Sequence, residues 1–283
     1  MSSKRSQPAT VMALVPAWDA EPFIERTLES LVQQTYPNFR VLISDDASTD
    51  ATAEICQSFV DLDDRFSLLR QPRNLGWIDN TNALLATSHA DFLLFAFHDD
   101  VLLPEYVSRC VAALDANPRA VVAHSDVITY YQDGDPEVRE YTRLEGITSR
   151  VERAKWVLWQ PDHWSTPNRG VFRAEAAGRI GGLKRHLGGE FSADWPWLVH
   201  MALLGESIRI PEILVEKHYQ KNSLSRGWNY SPRHSLGAAL SCAREIYQAR
   251  LSPGESLRLY ATLARRCLPW IKRLAIREVR VRG

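Results

Sequence analysis

Three acidic groups in the first hundred residues each stand directly after an apolar, strand-like run. Asp19 follows 11–17 by a short turn, Asp45 and Asp46 close 39–44, and Asp99 and Asp100 close the run that begins at Asp91. In open α/β sheets ligands bind beyond the carboxyl ends of the strands, so parallel pairing of these runs gathers the carboxylates on one edge. A single Asp after a strand is ordinarily a turn residue or a helix cap. Three placements together describe a ligand site, where carboxylate oxygens suit a hard cation or the donor groups of a bound molecule.

The elements that must position these groups follow from periodicity. Residues 11–17 read as a buried strand, and 22–34 as a helix with Phe23, Leu28, Leu31 and Val32 near helical spacing. Ser48 has the side chain of a helix cap for the segment running to Val60. Runs at 66–69, 91–97 and 120–130 continue the strands, with helical patterns at 79–88 and 104–117 between them. This alternation is that of a mainly parallel sheet flanked by helices, an α/β fold. From 131 to 167 the pattern gives way to charged, Trp-rich sequence, expected to form loops and short elements over one sheet edge. A helix at 174–180, a flexible glycine-rich stretch at 181–189, a helix at 195–204 and a strand at 208–215 follow.

Composition places the chain among folded soluble domains, with 45% hydrophobic and 24% charged residues. Lys plus Arg and Asp plus Glu number 34 each, which gives no electrostatic reason to expect a nucleic-acid partner. Cys56, Cys110, Cys242 and Cys267 lack the paired spacing of a zinc site or disulfide framework and read as buried apolar residues. No apolar run approaches the ~18 residues of a membrane-spanning helix, and the polar start has no signal-peptide core, so the cytoplasm is the expected compartment. A Gly-x-Gly-x-x-Gly turn is absent after the first strand, where Pro16-Ala17-Trp18-Asp19 stands, and this argues against a dinucleotide-dependent oxidoreductase.

Four motifs in fixed order carry a family resemblance: Val15-Pro16-Ala17-Trp18-Asp19; Ser44-Asp45-Asp46-Ala47-Ser48-Thr49-Asp50; Arg73-Asn74-Leu75-Gly76 with Asn80 and Asn82; and His98-Asp99-Asp100 with Pro104 beyond. Over residues 10 to 225 the chain resembles the inverting family 2 glycosyltransferases, which have the Rossmann-like GT-A fold. The resemblance implies a metal-dependent enzyme that moves a sugar from a nucleotide diphosphate to an acceptor hydroxyl. Asp46 would accept a base N–H, Pro16, Ala17 and Trp18 would wall the base and ribose, and Asp19, Asp45 and Asn80 would belong to the same pocket. Asn74 and Gly76 would let a loop approach the ribose and phosphates. Phe97 replaces the leading carboxylate of the family's commoner Asp-x-Asp-Asp motif, while Asp99 or Asp100 would hold Mg²⁺ or Mn²⁺ against the diphosphate. His98, beside the donor, reads as a packed strand-end histidine.

The resemblance also implies an acceptor side. Asp194, in Ser192-Ala193-Asp194-Trp195, matches the family's catalytic carboxylate and would be the general base. Ala193 replaces the Glu common before it. Arg169, in the segment that underlies the acceptor pocket, and two aromatic residues, Trp164 and Trp195, would contact a saccharide, lipid-linked saccharide or other glycan acceptor, since flat rings suit sugar faces. Trp156, Trp159 and Trp197 read as packing. His218 would ligate the ion or meet a phosphate, with Lys221 or Arg226 offsetting charge. The organisation expected is a flexible start (1–9), a catalytic domain (10–228, donor half 10–131 and acceptor half 132–228) and a helical extension (229–283). In the extension, Arg265, Arg266, Lys272, Arg273, Arg277, Arg280 and Arg282 alternate with apolar residues, and Pro269 is expected to interrupt the helix. That basic helix either lies peripherally on the inner face of the membrane or packs on the domain. The rival from another class is a nucleotide-sugar binding module without transfer activity, which intact Asp99, Asp100 and Asp194 argue against.

Overall fold

The computed structural model describes residues 8–219 and 231–282. Residues 1–7 of the expected flexible start (1–9) and the two expected charge partners Lys221 and Arg226 lie outside them. Strand β1 (Val11–Ala17) pairs in parallel with β2 (Phe39–Asp45) and with β4 (Phe92–Phe95), and β2 pairs in parallel with β3 (Phe66–Arg70). Beyond β4 the sheet turns mixed. Strand β8 (Val171–Arg173) runs antiparallel to β4 and β6 (Ala120–Tyr131), whereas β6 runs parallel to the long β9 (Glu206–Tyr219). Short β5 (Asp100–Leu102) and β7 (Glu137–Arg139) lie antiparallel on β9 and β6.

Helices cover both faces, so every central strand must be apolar on both sides. In β1 the pleat sends Val11, Ala13 and Val15 to one core and Leu14 to the other. The first core is closed by α1 (Ile24–Val32), whose Ile24, Leu28 and Leu31 form one buried stripe, and by α4 (Tyr106–Ala116). On the opposite face lie α3 (Trp77–Thr87), α5 (Arg150–Trp159) and α7 (Asp194–Leu204). Helix α7 is buried almost all round, as befits a helix enclosed by others. Helix α2 (Thr52–Leu62) flanks β2 and β3, and α6 (Ala174–Ile180) follows β8.

Four local expectations are corrected. Ser48 does not cap α2: its Oγ accepts from Asp19 N at 3.0 Å, while Asp50 Oδ1 accepts from Thr52 N at 3.0 Å in the turn before the helix. The 131–167 region holds a ten-residue helix, α5, capped by Ser149, whose Val151, Ala154, Val157 and Leu158 are buried beneath charged neighbours. The glycine-rich stretch is tied down rather than loose. Asn82 exchanges hydrogen bonds of 2.8 and 2.9 Å with Leu183, and Lys184 Nζ donates to the carbonyls of Ile180, Gly181 and Gly182. Finally, Pro269 leaves the C-terminal helix unbroken.

That helix, α9 (Pro253–Arg282), follows α8 (Pro232–Gln248) and packs on α5 and α8 through Leu259, Leu263 and Cys267. Arg150 and Glu255 pair at 2.8 Å across the α5–α9 contact. Of the two expectations for this basic segment, packing against the protein is what the described side chains show. The side chains of its basic positions from Arg273 onward lie outside them. Among the described residues no helix is long and apolar enough to cross a membrane.

Candidate active site

The carboxyl ends of β1, β2 and β4 open into a cavity of about 1080 Å³ that continues past β9 to α7 and α9. At its first end Pro16, Ala17 and Trp18 form a wall, with Trp18 half exposed (49%) at the mouth. A large ring left half uncovered beside a cavity is a platform for a planar ligand. Asp19, also lining the cavity, accepts from Thr49 N at 2.8 Å and so holds the turn after β2.

Asp46 stands at the end of β2 with Oδ1 2.8 Å from Leu75 N and Oδ2 2.9 Å from Gly76 N. One carboxylate thereby fixes the Asn74–Gly76 loop against the cavity. Its remaining lone pairs can still accept a ligand N–H. Burial raises its pKa, against the two amide bonds that lower it. Asn80 bonds Ser44 at both Oγ (2.5 Å) and the carbonyl (3.1 Å), locking α3 to β2, while Asn74 Oδ1 accepts from Gly76 N at 3.0 Å. Asp45 is corrected from pocket to scaffold: it is buried (3% exposed), does not line the cavity, and its Oδ1 lies 3.4 Å from Ser48 N.

At the centre, Phe97, His98 and Asp99 line the cavity. The His98 ring stacks on Phe23 with centroids 6.2 Å apart, a packing contact of the kind expected from sequence. Asp99 Oδ2 receives Lys217 Nζ at 2.8 Å. Burial raises the Asp99 pKa, but Lys217, His98 and Arg169 outweigh it and hold the carboxyl below its ordinary value. Asp100 is buried, does not line the cavity and pairs with Arg169 Nε at 2.7 Å, leaving Oδ1 buried without a hydrogen bond. Burial dominates there and raises the Asp100 pKa.

Two metal-site expectations are corrected here. Strand alternation on β9 sends Lys217 and Tyr219 into the cavity and His218 to the opposite face, where it stacks on Tyr130 with centroids 5.0 Å apart. Its Nε2 lies 3.3 Å from Glu216, so His218 faces no ion at Asp99. Asp100 is occupied by Arg169, which in turn is a buried ion-pair partner rather than an acceptor contact, though it also lines the cavity. Of the acidic motif Asp99 fits a divalent ion: among the described residues its Oδ1 has no hydrogen-bond partner, the Lys217 bond falling on Oδ2, and Mg²⁺ or Mn²⁺ commonly binds through one carboxylate plus substrate phosphates and water. Among the described residues, no group of three or more His, Cys, Asp or Glu side chains could hold a metal on protein ligands alone.

At the far end Asp194 begins α7 and lines the same cavity. Its Oδ1 is buried with no hydrogen-bond partner, and burial pushes its pKa up to about 6, with the Arg169 guanidinium opposing. A desolvated carboxylate with a free oxygen and a pKa close to neutrality is equipped to take a proton. Trp164 lines the same cavity. Trp195 is corrected to a core residue: it is 1% exposed, its indole N–H donates to Val157 O at 2.9 Å, and its ring meets Trp270 edge-on.

Sequence reading missed Lys217, Glu190, Arg266 and Trp270, all of which line the cavity. The alternation of β9 would have singled out Lys217 had the strand been extended past Val215. Arg266 and Trp270 required knowing that α9 folds back over α5.

The chain matches the model for "Glycosyl transferase family 2" over residues 12–175. GlyA, a glycosyltransferase of Streptococcus pneumoniae, is 31% identical over 238 residues, which cover 82% of this chain and 34% of that protein. The putative glycosyltransferase EpsH of Bacillus subtilis is 28% identical over 141 residues, 45% of this chain and 40% of that one. The chain thus spans between a third and two fifths of the length of these relatives. S. aureus TarS 1-349, solved with UDP-GlcNAc, superposes with a TM-score of 0.73 at 18% identity, covering 91% of this chain and 72% of that one. The mannosyltransferase PcManGT from Pyrobaculum calidifontis, solved with GDP-Man and Mn²⁺, has a TM-score of 0.60 at 18% identity, covering 98% and 82%. These two structures show the GT-A fold. With the family's model matching more than half of the 283 residues and its fold extending over nine tenths of them, the protein belongs to glycosyl transferase family 2.

Proposed function

We propose that the protein transfers a sugar, with inversion, from a nucleotide diphosphate sugar to a hydroxyl of a glycan acceptor. The observation that carries this reading is that Asp194, with a raised pKa and an unpartnered buried oxygen, lines the same cavity as Asp99 and the Trp18 wall. Trp18, Pro16 and Ala17 hold the base, while Asp46 accepts a base N–H and keeps the 74–76 loop close to the ribose and phosphates. Lys217 sets a fixed positive charge against the diphosphate. Asp99 would hold Mg²⁺ or Mn²⁺, which would stabilise charge on the leaving diphosphate when bound. GT-A neighbours solved with UDP-GlcNAc, or with GDP-Man and Mn²⁺, support this donor class.

In the step itself the acceptor oxygen attacks the anomeric carbon from the face opposite the diphosphate. Its proton passes to Asp194, and the bond from the anomeric carbon to the diphosphate oxygen breaks with the electron pair on the leaving group. Burial of Asp194 serves this step, because desolvation raises the carboxylate's affinity for the proton.

The test is donor hydrolysis across uridine, guanosine and deoxythymidine diphosphate sugars with Mn²⁺, in the wild type and Asp194→Asn. Release of nucleoside diphosphate from one class by the wild type, with loss in Asp194→Asn and retained donor binding, is the expected result. Donor binding without any turnover in the wild type would instead identify a non-catalytic nucleotide-sugar module.

A further inference from the structure

Among the described residues four Lys or Arg side chains line the cavity, and three of them are paired with carboxylates. Lys217 pairs with Asp99 at 2.8 Å, Arg169 with Asp100 at 2.7 Å, and Arg139 with Glu137 at 3.1 Å. Arg266, on α9, has no carboxylate partner among the described residues. Its guanidinium lies over the Trp270 ring, 4.6 Å from the centroid, and one terminal nitrogen reaches Gln160 Oε1 at 3.2 Å. Its Nε is buried and makes no hydrogen bond. An Arg held flat by an aromatic ring on a cavity wall, with one donor left without a partner, has the planar geometry that carboxylates and phosphates bind in pairs of hydrogen bonds.

The position of this fork decides what it serves. Trp270 meets edge-on the ring of Trp195, the residue after Asp194, and Arg266 beside it bonds Gln160, so this part of the lining lies towards Asp194, on the acceptor's side of the base. Leaving a partly buried guanidinium donor unmatched is costly, which favours a site whose ligand brings the missing anion. Trp164 adds a ring suited to a sugar face.

We propose that Arg266, oriented by Trp270 and Gln160, forms an anion-binding acceptor subsite on the C-terminal helix, and that the glycan acceptor is an acidic saccharide carrying a uronate carboxylate or a phosphate next to the attacked sugar. The proposal rests on the transferase reading for the acceptor role, while the anion site stands on its own geometry. Helix α9 thereby closes one end of the cavity and selects what enters there.

Saturation-transfer NMR on the full chain tests it with methyl glucuronide, glucose 1-phosphate and methyl glucoside as probes. The wild type should saturate one or both acidic probes more strongly than methyl glucoside. Arg266→Gln should bind the preferred probe at least roughly tenfold more weakly, the loss expected for even one charge-assisted hydrogen bond. Arg266→Lys, which keeps the charge but not the fork, should fall between. A response to the glucuronide alone assigns a uronate, and one to glucose 1-phosphate alone assigns a phosphate. Equal signals for all three probes in the wild type, or an unchanged acidic signal in Arg266→Gln, overturn the proposal. Titration of uridine and guanosine diphosphates into the same samples should give the same affinities in all variants. Absence of any nucleotide binding in the wild type would count against the transferase reading and not against the anion site.

Discussion

Lys217 Nζ stands 2.8 Å from Asp99 Oδ2 and 3.9 Å from Asp100 Oδ1, so a single ammonium is shared by the two carboxylates of the acidic motif. Register explains it: β5 and β9 are antiparallel with Asp100 opposite Lys217, and His218 N donates to Asp99 O at 3.0 Å. Arg169 closes the set from the other side at 2.7 Å from Asp100. Two acidic and two basic groups are thereby packed into one nearly neutral cluster. Such a cluster tolerates burial because each charge has a partner, yet removing one member leaves another stranded.

Lys217→Met should therefore weaken donor binding by roughly tenfold or more, since a charge-assisted contact is typically worth about 1.5–3 kcal/mol. The Asp99 carboxyl, held down chiefly by Lys217 against its burial, should rise in pKa in the variant. Its ionised form is then stranded, so the variant should lean harder on an added divalent ion than the wild type does. Nucleoside diphosphate titrations at several Mn²⁺ concentrations measure both effects. Unchanged affinity at every concentration would show that the ammonium does not face the diphosphate.

Asp194 should impose an acid limb on turnover. With a pKa near 6, the carboxylate is ionised and able to take a proton above that value, so kcat should climb through about pH 6 and level off beyond it. Asp194→Asn should lose roughly 10²–10⁴-fold in kcat with little change in donor binding. Stability should move the other way. A carboxyl whose folded pKa is raised favours the protonated form in the folded state, so its contribution falls as pH rises from about 4 to 6. Above pH 6 the Asn variant should thus be the more stable by something of order 1–3 kcal/mol, read by thermal melts at pH 4 and pH 8.

Metal removal should act through Asp99 alone. Chelation with EDTA should reduce donor affinity and turnover in the wild type, and re-addition of Mn²⁺ or Mg²⁺ should restore both. In Asp99→Ala the donor affinity should already be low and indifferent to chelator. His218→Ala, whose ring lies across the strand from the cavity, should keep the wild-type metal response. A metal response lost in His218→Ala but kept in Asp99→Ala would reverse the assignment.

What the sequence disclosed and what it hid divide along physical lines. The parallel half was legible because strands buried on both faces, such as β1, are continuous apolar runs followed closely by acidic residues. Asp46 and Asp99 were legible for the same reason and Asp194 only through the family resemblance, and the structure places all three on one cavity. Helix α5 was hidden because its buried stripe of Val151, Ala154, Val157 and Leu158 is diluted by Arg150, Glu152, Arg153 and Lys155. Arg153 belongs to that buried stripe only because its guanidinium finds the carbonyls of Ala202, Ile147 and Thr148, partners remote from any local pattern. His218 was misassigned because a β-strand changes face at every residue, and a motif read without its strand gives residue type but not side. Trp195 was misassigned because an aromatic beside the proposed base serves packing or binding equally well until its indole N–H is seen to be used.

Gly76→Ala probes how tightly the two ends of the cavity are linked. Gly76 has φ +85, and a Cβ there would stand 2.5 Å from Glu190 Oε1 and 3.0 Å from an Arg185 terminal nitrogen. Arg185 bridges Glu190 at 3.2 Å, Asp79 at 3.1 Å and the Leu75 carbonyl at 2.7 Å, so the loop held by Asp46 is latched to the segment that leads into Asp194. The backbone strain alone should cost about 1–3 kcal/mol. The clash should in addition push Glu190 outward and open the latch, loosening the loop over the ribose and the approach to Asp194 together. Donor affinity and kcat should therefore both fall in Gly76→Ala, whereas Glu190→Gln, which keeps the shape and loses the charge pairing, should show a smaller loss in the same two quantities. A variant with lowered melting temperature but wild-type donor affinity and kcat would mean that the latch stabilises the fold without setting the site.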